Sequence, residues 1–122
     1  MSIRTILAKC AFGQPNQGVK LGAEMIADKL KLKPTTILGF RHYIDYFSLS
    51  EHLKINLESV ETNVIIGGDH SISSATVPMF FNKFRENGHL IWIDAHPDIN
   101  TVKTSPSKNT HGMPVAKIFG HQ

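Results

Sequence analysis

Cysteine is almost absent from this chain of 122 residues, which contains only Cys10. A single thiol cannot form an intramolecular disulfide, and such a composition is typical of proteins in a reducing compartment. Cys10 lies in an apolar segment, residues 6–12, and we interpret it as a small buried hydrophobic residue. The sequence therefore excludes a disulfide scaffold and gives little support to a cysteine nucleophile.

Long apolar runs and clustered charges of one sign are also missing. The first five residues lack the charged start and long apolar stretch of a signal peptide, and no run reaches membrane-spanning length. The net charge is +3 and the sequence pI is about 9.1, but the lysines are scattered, without a basic stripe interleaved with aromatic residues. We expect a cytoplasmic protein that binds neither membranes nor nucleic acid.

The residues that are present belong to one globular domain with a modest core, since 41% are hydrophobic and 19% are charged. Segments with strand-like and helical spacing alternate along the chain, without repeats or low-complexity tracts. This alternation predicts an α/β fold with a mostly parallel sheet. We predict strands over residues 3–11, 35–39, 63–67 and 89–95, and helices over residues 19–32, 48–60 and 71–87, with a short helix near 111–114.

Several residues mark the expected ends of these helices. Pro34 ends the first helix, and a capping box from Ser48 to Glu51 opens the second, which places Leu49, Leu53, Leu57 and Val60 on one side. Pro78 predicts a kink or a late start in the third helix, and Gly88 predicts its end.

The most informative segment places Asp94, His96 and Asp98 at alternate positions behind the apolar residues 90–93. In an extended strand, side chains at positions i, i+2 and i+4 point to one face, and Pro97 should end this strand. Two carboxylates and an imidazole at the end of a buried strand are costly unless a cation neutralises them. The pattern therefore predicts a divalent metal site at the carboxyl edge of the sheet.

A second motif strengthens this prediction. The apolar strand over residues 63–67 breaks at Gly67 and Gly68 and is followed by Asp69 and His70. If the two strands are neighbours, His70 joins the other three ligands, and a mixed set of carboxylates and imidazoles suits Mn²⁺. Taken alone, His70 fits a core histidine and Asp94 fits a turn cap, but the combination favours metal binding. Asp69 should point elsewhere, and we interpret it as a structural residue or as one that orients a ligand.

The loop after this motif is rich in short hydrogen-bonding side chains. We interpret Thr101 and Thr104 as parts of a solvated loop. His111 ends the loop, and an imidazole at that point can transfer protons near neutral pH.

Taken together, these motifs resemble the arginase branch of the ureohydrolases. The resemblance covers nearly the whole chain in the expected order, and its motifs are specific. They are residues 13–19, 67–71, 94–100 and 107–114.

The resemblance implies a three-layer αβα fold of the arginase type and a paired manganese site, Mn²⁺ being the cofactor. His70, Asp94, His96 and Asp98 would supply four of its ligands. The two ions would bind one water, lower its pKa and direct the hydroxide at a guanidinium carbon. The implied reaction is hydrolysis of L-arginine to L-ornithine and urea.

The resemblance also implies roles for residues of the polar loop. His111 corresponds to a proton shuttle, and Ser105 stands where many relatives have threonine, which keeps the hydroxyl. A homo-oligomer, either a trimer or a hexamer, is implied for the complete protein. The positions that would hold the α-amino-acid end of L-arginine, directly or through water, are Asn100, Ser105, Ser107 and Asn109.

The chain departs from the family pattern in one respect. Arginases supply two more metal carboxylates from a later Asp-x-Asp motif and a guanidinium-binding glutamate beyond it, and the sequence to Gln122 contains neither. The remaining aspartates, Asp28 and Asp45, fit neither role. We therefore expect residues 1–122 to be the N-terminal portion of a single arginase-like domain, incomplete at its C-terminal end. Alone, it should be inactive and should aggregate or need a partner.

Three interpretations stay open at this point. The first is an arginase-like manganese hydrolase. The second is another ureohydrolase, an agmatinase or a formimidoylglutamase, although the loop with Ser107, Asn109 and His111 favours a substrate with an amino-acid head group and so disfavours agmatine. The third is a non-catalytic remnant that binds metal weakly or pairs with related subunits.

Overall fold

A computed structural model of the chain describes residues 3–39, 46–57 and 62–121. Strands and helices alternate over the first two thirds of it, as the sequence predicts. The elements are β1 (Ile3–Lys9), α1 (Val19–Lys29), β2 (Thr36–Gly39), α2 (Tyr46–Leu57), β3 (Thr62–Gly67), α3 (Ser73–Phe84) and α4 (Pro114–Ile118), with 3₁₀ turns at His70–Ile72, Arg85–Asn87 and Thr110–Gly112.

The described strands form one three-stranded sheet in the order β2-β1-β3. Both pairings are parallel, and Ile6 at the centre of β1 lies opposite Thr36 on one side and Ile65 on the other. Residues 5–8 of β1 are all buried, as expected for a central strand covered on both faces. The parallel α/β fold that the alternation predicts is confirmed.

Two apolar clusters lie on opposite faces of this sheet, because successive side chains of a strand point to opposite sides. Ile6 belongs to the cluster under α2 and α3, together with Leu49 and Leu53. Leu7 belongs to the cluster under α1, together with Ala23 and Ala27. The result is a three-layer αβα arrangement.

The helices differ from the prediction mainly at their ends. α1 begins at Val19 as predicted but ends at Lys29, and α2 begins at Tyr46, before the proposed capping box. Leu49 and Leu53 are buried as predicted, whereas Val60 lies outside the described residues. α3 begins at Ser73, two residues later than predicted and after a 3₁₀ turn, and it continues through Pro78 to Phe84.

Cys10 is fully buried in the cluster under α2 and α3. Burial raises the pKa of its thiol, because the apolar surroundings disfavour the thiolate. A thiol in this state packs as a small hydrophobic group, which agrees with the interpretation from the sequence.

The strand predicted over residues 89–95 is wrong. Residues 89–94 have no regular secondary structure, and the side chains of Ile91 and Ile93 are 83% and 93% exposed. A cleft of about 920 Å³ is lined by residues of β3 and α3, among them Ile65 and Phe80, and by Leu90 of this segment. A strand forms only where a neighbour pairs with its backbone groups, and among the described residues the sheet contains only β2, β1 and β3.

The C-terminal part of the described chain contains the short helix predicted near residues 111–114. It begins as α4 at Pro114, and proline is favoured at a first helical position because that residue needs no backbone N–H partner. Among the described residues, no helix combines the length and the apolar character needed to cross a membrane.

Candidate metal centre

His70 reaches the carboxyl edge of the sheet through a close approach of two strands. A side chain on Gly68 would place its Cβ only 2.0 Å from the carbonyl oxygen of Cys10, so only glycine fits where β1 and β3 end. The next residue, Asp69, caps a 3₁₀ turn by accepting a hydrogen bond from the Ser71 N–H. This turn begins at His70 and presents its imidazole at the edge where open α/β sheets hold their ligands.

Asp94 and Asp98 approach each other through a turn, not through the alternation of a strand. Oδ1 of Asp94 accepts a hydrogen bond of 2.8 Å from the backbone N–H of His96, which bends the chain after Asp94. Asp98 has a φ of 51°, in the left-handed region. Its carbonyl oxygen accepts hydrogen bonds from Val115 and Ala116 at the start of α4. The predicted convergence of these two carboxylates therefore has a different cause from the one inferred.

Three of the four predicted ligands lie close together. Nδ1 of His70 lies 3.2 Å from Oδ2 of Asp94 and 3.0 Å from Oδ2 of Asp98, and the ligand atoms of all three residues lie within 4.8 Å of one another. Ligand atoms bound about 2.1 Å from one divalent ion lie about 3.0–3.4 Å apart at tetrahedral or octahedral angles. The spacing of this group fits a metal ion.

The electrostatics of the group also fit a cation. Oδ2 of Asp98 is buried and has no partner with hydrogen-bond geometry, although Nδ1 of His70 lies 3.0 Å away. A buried carboxylate oxygen without a hydrogen bond is costly unless a cation lies beside it. A protonated His70 could direct its single Nδ1–H at only one of the two carboxylates. The backbone N–H of His96 lowers the pKa of Asp94 below its usual value, which keeps that carboxylate ionised. A divalent ion would neutralise both carboxylates at once.

His96 does not join this group. Its side chain is 81% exposed, and its Nδ1 lies 3.6 Å from Oδ1 of Asp94, the oxygen that faces away from His70. The structure therefore places His96 beside the group, on the solvent side. It is separated because the chain turns at Asp94 instead of continuing as a strand.

Trp92 supports the centre, although the sequence interpretation gave it no role. Its indole ring stacks on the imidazole of His70, with ring centroids 5.0 Å apart and planes inclined by 28°. Such a contact restricts the rotation of the imidazole and keeps Nδ1 directed at the carboxylates. The signal in the sequence is the position of Trp92 two residues before Asp94.

Asp69 is buried and does not orient His70 through a direct hydrogen bond of its side chain. Oδ1 accepts from the N–H of Ser71 at 2.8 Å, and Oδ2 accepts from the N–H of Gly13 at 3.0 Å. The carboxylate thus ties the loop after β1 to the turn that carries His70. Gly13 is a second residue of the site that the sequence interpretation left without a role.

The predicted substrate loop is largely bonded to itself. Oδ1 of Asn100 accepts from the hydroxyl of Thr104 at 3.1 Å. Ser105 is buried, and its Oγ accepts from the N–H of Lys108 at 3.1 Å. Oγ of Ser107 accepts from the N–H of Asn109 at 3.2 Å. These bonds give the loop a defined shape without apolar packing.

His111 follows this loop in a 3₁₀ turn that packs against the turn carrying His70. Its backbone N–H donates to the carbonyl oxygen of Gly13 at 3.2 Å, and its Nδ1 lies 3.1 Å from the same oxygen. The ring is half-buried. The imidazole that the sequence predicts to transfer protons therefore belongs to the same edge of the molecule as the metal centre.

Comparison with known proteins identifies relatives that share this sequence and fold. An arginase from Saccharomyces cerevisiae is 37% identical over 99 residues, which cover 81% of this chain and 28% of that protein. An arginase from Bacillus caldovelox is 48% identical over 60 residues, covering 48% of this chain and 20% of that protein. The chain thus spans less than a third of the length of these relatives.

The fold gives the same result. The crystal structure of arginase from Bacillus subtilis matches with a TM-score of 0.76 and 28% identity, covering 95% of this chain and 46% of that one. The sequence pattern of the Arginase family matches residues 3–122. The chain therefore belongs to the arginase family.

Proposed function

We propose that this chain is the N-terminal portion, residues 1–122, of a manganese-dependent arginase-like hydrolase that converts L-arginine to L-ornithine and urea. The observation that carries the proposal is the meeting of His70, Asp94 and Asp98, where a buried carboxylate oxygen has no hydrogen-bond partner. Membership of the arginase family and the similarity to arginases support it.

Four residues would hold the metal. His70 and Asp98 would bind from the buried side, and His96 would bind from the solvent side. Asp94 would bind through its carboxylate, whose Oδ2 lies 3.2 Å from Nδ1 of His70 and whose Oδ1 lies 3.6 Å from Nδ1 of His96. When bound, a pair of Mn²⁺ ions supplies Lewis acidity and a water of lowered pKa.

The polar loop would bind the substrate. Hydroxyl and amide side chains are suited to binding an α-amino group and an α-carboxylate. Hydrogen bonds within the loop hold these side chains in place. His111 would carry a proton at its imidazole during the reaction. The residues assigned to the substrate's head group are Asn100, Ser105, Ser107 and Asn109.

The complete activity would need ligands beyond this set. Over residues 3–39, 46–57 and 62–121, His70, Asp94 and Asp98 form the only group of at least three His, Cys, Asp or Glu side chains that could hold a metal. A second ion held from one side only would bind weakly. We therefore expect negligible hydrolysis by residues 1–122 alone, and we propose that the complete protein is a cytoplasmic homo-oligomer, a trimer or a hexamer.

Calorimetric titration with MnCl₂ tests the metal centre. Asp94→Ala and His96→Ala should each weaken binding by well over tenfold, since loss of residues that merely support ligands already costs about 10–100-fold. His89→Ala is the matched control, because the side chain of His89 is exposed and does not belong to the group of possible metal ligands. Unchanged affinity in both ligand variants would exclude this metal site.

A urea assay separates the candidate functions. The chain is incubated with Mn²⁺ and either L-arginine or agmatine, beside a longer form that includes the additional carboxylates. Urea from arginine with the longer form supports the proposal, and urea from agmatine alone would indicate an agmatinase. Tight Mn²⁺ binding without urea in either form would indicate a non-catalytic protein.

A further inference from the structure

Gly13 lies at the junction of three loops of the described chain. Its N–H donates to Oδ2 of Asp69 at 3.0 Å. Its carbonyl oxygen lies 3.2 Å from the backbone nitrogen of His111 and 3.1 Å from Nδ1 of the same residue. A single residue thus connects the loop after β1, the turn that carries His70 and the turn that carries His111.

The space around Gly13 admits no side chain. A Cβ would lie 2.6 Å from the backbone nitrogen of His111 and 2.8 Å from both Oδ1 of Asp69 and Cβ of His111. Contacts shorter than about 3 Å between such atoms require the surroundings to move. Glycine is needed here for close approach, since Gly13 does not have the positive φ that would demand it for backbone conformation.

The carbonyl oxygen of Gly13 determines which nitrogen of His111 carries hydrogen. A carbonyl can only accept, so Nδ1 must be the donor in the neutral ring, and Nε2 then has the free lone pair. Asp69 holds this carbonyl in place because its buried carboxylate binds the N–H of the same glycine, and hydrogen bonds to a charged acceptor are strong.

We propose that Gly13 and Asp69 are positioning residues that fix His111 in its Nδ1–H form, with Nε2 as the atom that exchanges protons. The inference rests on the proton-transfer role proposed for His111. It adds how the ring is positioned: Asp69 fixes Gly13 through its N–H, and the carbonyl oxygen of Gly13 fixes the imidazole of His111 through Nδ1. The same carboxylate shapes the turn of His70, so one buried group aligns both the proton-transfer residue and a metal ligand.

The tautomer of His111 can be measured without metal or substrate. The chain is labelled with ¹⁵N-histidine, and its long-range ¹H–¹⁵N spectrum is recorded at increasing pH until the ring signals stop changing, so that the neutral form is observed. We expect a pyrrole-like Nδ1 and a pyridine-like Nε2 for His111. The exposed His89 and His121 are internal references for unconstrained rings. A parent spectrum with pyrrole-like Nε2 at His111 overturns the proposal by itself.

Two variants and one control complete the test. Gly13→Ala and Asp69→Asn should each shift the ratio of His111 tautomers towards that of the exposed histidines by about fivefold, the effect of losing one hydrogen bond. Gly112→Ala should leave the ratio unchanged, because Gly112 adjoins His111 but has open space around its Cα. An unchanged ratio in a folded Gly13→Ala or Asp69→Asn variant also overturns the proposal.

This measurement and the manganese titration can fail independently. Loss of the metal site would leave the tautomer of His111 unaffected, because neither Gly13 nor His111 belongs to the ligand group. If Gly13→Ala does not fold, the parent spectrum and Asp69→Asn decide the question. The ¹⁵N spectrum of the His111 ring, in the parent chain and in the variants, therefore decides the proposal.

Discussion

The sheet region, residues 3–84, and the loop region, residues 88–121, are stabilised in different ways. In the sheet region, Ile6, Leu49 and Leu53 are completely buried in an apolar cluster. In the loop region, the side chain of Ile93 is 93% exposed, whereas the carboxylate residue Asp98 is buried. Apolar burial holds the first region, whereas the second combines hydrogen bonds to buried polar groups with the buried apolar residues Met113, Pro114 and Ala116 near its C-terminal end.

This difference explains how the candidate site is built. A loop shaped by polar groups can hold carboxylates, hydroxyls and imidazoles at one edge, where apolar packing would exclude them. The connection between the regions is also polar, since Gly13 and Asp69 bind each other and Gly13 binds His111. The site therefore depends on the rigid sheet region for its base and on a few specific hydrogen bonds for its geometry.

The largest expected effect is the difference in free energy of unfolding between truncating a buried apolar side chain in the sheet region and an exposed one in the loop region. Leu53→Ala should lower the free energy of unfolding by about 2–5 kcal/mol, because it removes a fully buried side chain. Ile93→Ala should change it by less than about 0.5 kcal/mol, since this residue is almost fully exposed. Urea denaturation followed by circular dichroism measures both. Equal losses would show that residues 89–94 pack as the strand that the sequence predicts.

A smaller effect on stability is expected at the ends of β1 and β3, beside the candidate metal centre. Gly68→Ala should cost about 1–3 kcal/mol, because the added methyl group would collide with the carbonyl of Cys10. The control is Gly22→Ala in α1, where nothing lies near the added Cβ. That change should increase stability by about 0.5–1 kcal/mol through helix propensity. Thermal melts of the two variants should move in opposite directions, and a shift of the same sign would contradict the close approach of β1 and β3.

The smallest effect should come from the polar loop. Ser105→Ala should cost about 1 kcal/mol, because Oγ of the buried Ser105 accepts a hydrogen bond from the N–H of Lys108. Ser107→Ala should cost less, since water can replace the exposed hydroxyl of Ser107. Amide hydrogen exchange at Lys108 is the direct measurement. Unchanged protection of this amide in Ser105→Ala would show that the hydroxyl does not shape the loop.

Much of the sheet region could be predicted from local patterns. The apolar runs of β1 and β3 and the start of α1 at Val19 agree with the prediction because helices and strands have different hydrophobic periods. The failure at residues 89–95 has a physical reason. The apolar residues 90–93 have the composition of a strand, but a strand also needs a paired neighbour, and the sheet of the described residues pairs only β2, β1 and β3.

The candidate site also has features that the sequence predicts and features that it does not. The grouping of His70, Asp94 and Asp98 agrees with the ligand types that the motifs contain, but their approach depends on a turn stabilised by Asp94 and on the left-handed conformation of Asp98. A rule of alternation could not predict that turn. It predicts His96 on the same face as the other three ligands, whereas the structure has its Nδ1 3.6 Å from Oδ1 of Asp94, on the exposed side of the group.

The sequence by itself determined the helices and most of the strands of this protein, the types of its possible metal ligands and its membership of the arginase family. These follow from side-chain identity and from periodicity over short stretches of chain. The tertiary structure alone decided which groups meet. Gly13 binds Asp69 across 56 residues and His111 across 98. Contacts over such separations depend on how the sheet and the loops pack against each other, because no local pattern encodes the distance between remote residues.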